Sequence, residues 1–379
     1  MLYIKYKSYF VKLFLLIGRD MTSINKEILD VMTERAIELL RYDAGLRKKV
    51  EKNIIALEKD IINQLREIDP TDPQRMSFKY KRLEALLKQV NDITNAVYSA
   101  SRTLVTEELK ELALTESAFV SGQINSVLGA TIMYPVVNEA VIAALAAESQ
   151  VMGKPISSWW AKQSKDNLEF FERQMRIGIA SGDSMHDLEK RVHDLFGKGK
   201  KARRDAATIV RTSVNHVANQ SYLNTYEKNS DVIEGILESA TLDNRVCPIS
   251  VAYHGSAWSL PDYQPLGGEY NDMPWAGGLP RHFRERDILS AIVKEINKIP
   301  TSLKNKIPTR KQASMDGLIE KPTTFDDFFK RKGEAYTDRV LGKGIASLWR
   351  DGKIKAKDVI DAQTGRPLTL KELNKRIGI

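Results

Sequence analysis

The stretch with the most chemical potential is Thr241-Leu-Asp-Asn-Arg-Val-Cys-Pro-Ile-Ser-Val-Ala-Tyr-His-Gly255, which holds the chain's only cysteine. A Cys-Pro turn near a histidine is half of a metal knuckle, in which thiolates and imidazoles close around tetrahedral zinc. The position where a second thiolate would stand is Ser250, so Cys247 alone offers sulfur. The second chemistry open to Cys247 is nucleophilic, with His254 or His282 as its base. Pro248, read as part of a turn, is expected to give no helix N-terminus that would lower the thiol's pKa. The sequence has no Gly-Lys-Ser/Thr phosphate loop, no Gly-x-Ser-x-Gly and no His-Glu-x-x-His. His186 and His193 share a helix face by spacing, as surface polar pairs often do. No catalytic residue is assigned, and the expectation is a protein that is not an enzyme and has no small-molecule substrate.

The elements that must position this stretch are mostly helical. Ile24, Ile28, Val31, Ile37 and Leu40, then Val50, Ile54, Leu57, Ile61 and Leu65, repeat at helical spacing and predict helix over 24–68, with a break at Gly45. Asp69-Pro-Thr-Asp-Pro73 ends that unit, since proline removes a donor and restricts its predecessor. Leu83, Leu86, Leu87, Val90, Ile93 and Val97 predict a second long helix over 74–115, followed by helices near 117–133, 135–151, 157–181 and 184–196. Asp183 is the expected N-cap of the last. The apolar run Val127–Ala147 contains Pro135, Asn138 and Glu139, which predicts a buried helix pair broken at Pro135 instead of a membrane span. A helix over 205–229 carries Arg211, Asn215 and Asn219 on one stripe. Beyond it the texture changes to a strand at 232–240, a turn at His254-Gly255 into a strand at 257–260, a Gly/Pro-rich loop to Pro280 and a helix at 288–299. Residues 300–322 read as a basic linker, and 325–350 (broken at Gly342) and 367–377 as helix. The fold class is therefore mainly α, with a helical scaffold over 21–204, a small α+β module over 205–300 and a basic linker and helical tail over 301–379.

Charge is concentrated at the ends. Residues 301–379 hold 18 Lys/Arg against 10 Asp/Glu, and residues 1–20 hold 4 against 1, while the rest is nearly neutral. The tail is thus where a nucleic-acid or acidic-surface contact is expected, the alternative being solvated surface lysines. Lys198, Lys200, Lys201, Arg203 and Arg204 form a second basic cluster able to contact phosphate, or simply a solvated loop. In residues 1–20, Lys12 interrupts the apolar run, so no signal peptide is expected. Met21 opens an ordinary soluble sequence, and 1–20 are read as an extension with no role in the fold.

Four pieces of this sequence, in order, resemble the phage head-morphogenesis family of minor head (minor capsid) proteins, of the phage Mu type. They are Ile209-Val-Arg-Thr-Ser-Val-Asn-His-Val-Ala-Asn219, Thr241-Leu-Asp-Asn-Arg-Val-Cys247-Pro, His254-Gly255 followed by Trp258, and Leu279-Pro-Arg-His282-Phe-Arg-Glu285-Arg286. The tail adds Phe325-Asp-Asp-Phe-Phe, Leu341-Gly342, Trp349-Arg-Asp-Gly-Lys353 and Gly365-Arg-Pro-Leu-Thr-Leu-Lys-Glu-Leu373, so the likeness covers about 205–379. It implies motif-supporting roles for Arg211, Asn219, Asp243, Arg245 and Gly255. It also implies a Cys, Cys, His, Cys zinc set, which falls here on Cys247, Ser250, His282 and Glu285. With two of three thiolates replaced, no zinc and no other cofactor is expected. Those four positions are expected to persist as a structural turn, Cys247 as a small buried hydrophobe and Asp243 with Arg245 closing the turn. The resemblance implies a virion protein of the phage head interior, assembled in the bacterial cytoplasm. Its expected partners are the portal protein, other head or scaffold proteins and DNA, with no membrane. Two rivals stand beside it, a non-specific nucleic-acid-binding protein using 198–204 and 301–357, and a head-morphogenesis scaffold carrying a toxin or hydrolase activity.

Overall fold

The computed structural model describes residues 21–67, 76–128, 133–136, 138–147, 150–243, 245–294, 310–314, 317–321, 325–359 and 367–378. Residues 1–20 and most of the expected 300–322 linker lie outside them. The chain is mainly helical with small antiparallel sheets. Helix α1 (Met21–Arg66) and α2 (Met76–Leu128) run antiparallel, because Arg35 meets Glu116 while Asn53 meets Ser101. A short α3 (Glu139–Ala147) and a two-stranded hairpin, β1 (Gln150–Val151) with β2 (Lys154–Pro155), lead into α4 (Ile156–Ser181) and α5 (Met185–Phe196). Helix α6 (Lys201–Lys228) then packs against α1, α2, α4 and α5 and starts before the 204/205 boundary expected from sequence.

The bundle holds because each long helix buries an apolar stripe. Val50, Ile54, Leu57, Ile61 and Leu65 are almost fully buried, whereas Ile37 faces solvent at 37 % exposure. Gly45 does not break α1; the helix runs through it, since a single glycine costs only about 1 kcal/mol against packing on both sides. The expected break near residue 116 is likewise absent from α2, where Glu116 is fully buried. Arg35 donates to it at 2.5 and 3.1 Å, and the Tyr222 hydroxyl donates to the same carboxylate. The helix pair expected over 127–147 is split by an extended piece, with Asn125 bonding both backbone groups of Met133 at 2.8 Å. Ser184, not Asp183, caps α5 through a box with Asp187, and Asp183 pairs instead with Arg191 at 2.7 Å. Among the described residues no helix is long and apolar enough to cross a membrane.

After α6 comes a three-stranded antiparallel sheet in the order β4 (Ala257–Ser259), β3 (Ile233–Ser239), β5 (Ile288–Val293), with a short α7 (Pro248–Tyr253) between β3 and β4. The helix expected at 288–299 is therefore a strand as far as Val293. Ile288 to Val293 are buried at every position, so the strand shows no alternation by which its period could be read. On one face Leu237, Ala257 and Ile292 pack with Leu29 of α1, and the Val293 amide donates to Asn25 at 2.9 Å across 268 residues. Gly235 lets β3 and β4 approach closely, since a Cβ there would lie 2.3 Å from the Trp258 carbonyl oxygen. A hairpin, β6 (Arg310–Ser314) with β7 (Gly317–Lys321), occupies part of the expected linker. Three short helices follow, α8 (Phe325–Lys332), α9 (Glu334–Leu341) and α10 (Lys343–Arg350), broken at Gly342 as expected and also at Gly333. Tyr336 of α9 donates to the Asp243 carbonyl, which ties the tail to the cysteine turn. Thr369 and Glu372 form a capping box on α11 (Leu370–Ile377).

Candidate functional site

Helix α6 supplies the frame. Arg211 pairs with Asp43 of α1 at 3.1 Å, fixing the helix against the bundle. Asn215 and Asn219 both donate to the Asp287 carbonyl at 3.0 Å, and Asn219 accepts from the Leu289 amide at 2.9 Å. Two side-chain amides thus satisfy the backbone where β5 begins, which strand pairing alone leaves open. His216 bonds the Leu279 carbonyl at 3.1 Å and burial depresses its pKa to about 4, so it stays neutral. Asn219→Ala is expected to lower folding stability by about 1–3 kcal/mol, the cost of leaving a buried amide unpaired. Chemical denaturation measures it, and hydrogen exchange at Leu289 should accelerate in step.

The cysteine turn is closed on both sides. Asp243 accepts the Arg245 backbone N–H at 2.8 Å, and its carboxylate takes a two-pronged contact from Arg286 at 2.5 and 2.6 Å. Asp243 and Arg245 thus close the turn through a backbone hydrogen bond, while the guanidinium on the carboxylate is that of Arg286 and Arg245 is exposed. Buried beside that guanidinium, the Asp243 carboxyl stays below its ordinary value, because the Arg286 contact outweighs the desolvation that opposes ionisation. Gly255 holds φ at +80° at the turn into β4, while its amide donates to the Glu238 carbonyl at 3.0 Å.

Cys247 sits at the N-cap of α7, with Pro248 in the first turn, so the expectation that Pro248 would preclude a helix start does not hold. The Ser250 amide donates to Sγ at 3.2 Å, the Ser250 hydroxyl lies 3.4 Å away, and His282 Nε2 lies 2.8 Å away. The other ring nitrogen of His282 contacts the Phe283 carbonyl at 2.9 Å. Burial opposes ionisation of the thiol, but the His282 contact overrides it, helped by Ser250, and the Cys247 pKa falls below its usual value. Burial equally opposes charging of His282, yet Cys247, then Glu285, raise its pKa to about 9. Each group thus favours the charged form of the other, and Cys247 is half-buried instead of a space-filling hydrophobe.

Glu285 turns elsewhere. Its carboxylate accepts the Arg281 backbone N–H and lies 3.4 Å from the Arg281 guanidinium, which also grips Glu238 at 2.6 and 2.8 Å. Carboxylate oxygens of Glu238, Glu285 and Asp287 lie within 4.8 Å of one another, all buried. The Arg281 side chain is 8 % exposed and stacks 3.9 Å over the Tyr253 ring. Burial pushes the Glu285 and Asp287 carboxyls up, and neighbouring carboxylates add to it. These residues do not fit structural zinc. Serine replaces a thiolate, and Glu285 is held by Arg281. Of the four positions on which the resemblance would place a zinc set, only Glu285 belongs to the ionic network of Arg281, Glu238, Glu285 and Asp287. The Arg281–Glu238 and Arg286–Asp243 pairs escaped the sequence reading because each joins residues 43 positions apart.

The basic cluster is largely spoken for. Lys200 pairs with Asp194, Lys201 with Asp205, and Arg203 with Glu58 at 2.6 Å and with the Phe196 carbonyl. Arg203 is a bundle residue joining α6 to α1. Lys198 and Arg204 are exposed and form no ion pair among the described residues. No family model, characterised protein or solved structure matches this chain.

Proposed function

We propose that the protein is a non-enzymatic minor head protein of a tailed phage or prophage, associating with the portal and prohead interior to assist head morphogenesis, DNA packaging or ejection. One observation supports the reading. The four sequence pieces that resemble the minor head family pack into a single module instead of scattering over the surface. Arg284 donates from its backbone to Thr212 at 3.1 Å, Arg286 grips Asp243, Cys247 meets His282, and the Gly255 turn feeds Trp258 into the sheet. On this reading the long bundle offers surface for protein contacts, the module is a docking knob, and the basic tail faces DNA or an acidic portal surface.

Mass spectrometry of proheads and virions purified from the host that carries this gene tests it. The protein is expected in proheads at a few copies, retained through portal purification at low salt and lost as salt rises. Its absence from both proheads and virions would sink the proposal.

A further inference from the structure

Between α8, the start of α9 and the turn after α10 lies a groove of about 660 Å³. Phe329, Trp349 and Ile354 line its apolar side, and Lys330 and Lys355 stand on its polar side. Phe329 and Ile354 are buried, whereas Trp349 is only half-buried. The indole is held in place, because its N–H donates to Asp326 at 2.5 Å and the Phe329 ring meets it edge-on at 5.4 Å. Charge around the groove is unbalanced. Asp326 also takes the Ala356 amide, Glu334 and Asp338 grip Arg350, and Asp358 accepts the Lys355 backbone N–H. Lys353 shares Asp351 at 3.6 Å. The side chains of Lys330, Lys355 and Lys357 are exposed and form no ion pair among the described residues. With Ile354 and Ala356 turned inward, Lys353, Lys355 and Lys357 bring three ammonium groups to the surface of one short stretch.

We propose that this groove binds single-stranded nucleic acid, with a base against Trp349 and backbone phosphates on Lys330, Lys355 and Lys357. A fixed aromatic surface beside unpaired cations suits such a strand, since every base has a ring face and a phosphate follows it. A duplex keeps its bases stacked inside and offers the groove only phosphates, so it engages the lysines without the indole. An acidic peptide likewise answers the lysines and leaves the indole without a planar partner. Such a site deepens the reading above, in which the basic tail faces DNA, and rests on it for the source of the strand. The two fail separately. Absence from proheads would leave the affinity of the groove standing, and a groove without affinity would leave the prohead result unchanged.

Fluorescence anisotropy of a labelled oligothymidylate of about 12 nucleotides, titrated with the full-length protein, tests it. The strand should bind about tenfold or more tightly than a duplex of the same length, the discrimination that one stacked base supplies. Lys330→Gln combined with Lys355→Gln changes only exposed side chains and should weaken strand binding about tenfold at low salt. The same double variant should flatten the slope of log K against log salt by about 1.4, because each single-strand phosphate contact contributes about 0.7. Trp349→Leu should weaken strand binding about fivefold or more and leave duplex binding unchanged. Equal affinity for strand and duplex overturns the proposal, as does a lysine variant with the wild-type affinity and slope. A polyglutamate peptide that displaces the strand at equal charge concentration overturns it in favour of an acidic protein partner. The lysine variant and the duplex comparison decide the matter even if the Trp349 variant does not fold.

Discussion

Replacing Arg281 with methionine should lower folding stability by about 3–5 kcal/mol near neutral pH, the usual consequence of removing one partner from a buried ionic network. Arg281 is the cation that touches Glu238 and Glu285, and without it these carboxylates and Asp287 face one another in the core. The loss should depend on pH in a definite direction. Burial and mutual repulsion already raise the Glu285 and Asp287 carboxyls above their unfolded values. A carboxyl with a raised folded pKa binds its proton more tightly in the fold, so its contribution is present at low pH and is lost as pH rises. Removing the guanidinium strengthens that tendency, and the variant should recover stability as pH falls toward about 4. Urea denaturation of both proteins at about pH 5 and about pH 8 gives the comparison. An equal deficit at the two values, or one under about 1 kcal/mol, would mean that the network is not the buried charge centre it resembles. Adding Asp287→Asn to the variant should restore part of the loss.

Trp258→Ala is the second large effect, expected at about 3–5 kcal/mol from the cavity it opens. Trp258 is fully buried in β4, edge-on to Trp275 at 5.0 Å and tilted against Tyr253 at 6.2 Å. Its indole N–H donates to the Met273 carbonyl at 2.7 Å, which pins the long loop between β4 and β5 to the sheet. Trp258→Phe keeps most of the apolar volume and drops that hydrogen bond, so its deficit should be smaller, about 1–3 kcal/mol. Near-ultraviolet circular dichroism and denaturation of both variants check the order. If phenylalanine proved as damaging as alanine, the hydrogen bond and not the packing would dominate.

The helical half was largely readable because amphipathic spacing is a local signal. Ile54, Leu57, Ile61 and Leu65 declare their face within three turns, and 157–181 and 184–196 match α4 and α5 to within a residue. Gly45 misled because a glycine's intrinsic cost is small beside the packing of a long helix. Residues 288–293 misled because a strand buried on both faces loses its alternation. The module's chemistry was readable as a set of positions, and the structure does bring Cys247, Ser250 and His282 together. What each atom does there was not. Whether Cys247 caps a helix depends on the backbone that follows Pro248, and the destination of Glu285 depends on Arg281 and Glu238, which meet only after the sheet has formed. The tail illustrates the same limit, since Tyr336 finds the Asp243 carbonyl across 93 residues.

The bond from Val293 to Asn25 also sets a schedule for synthesis. A ribosome adding about 5–20 residues per second needs roughly 15–50 s to travel the intervening 268 residues. Throughout that interval Leu29 and the start of α1 have emerged without the strand that will cover them. The nascent bundle must carry Leu29 uncovered until β5 arrives.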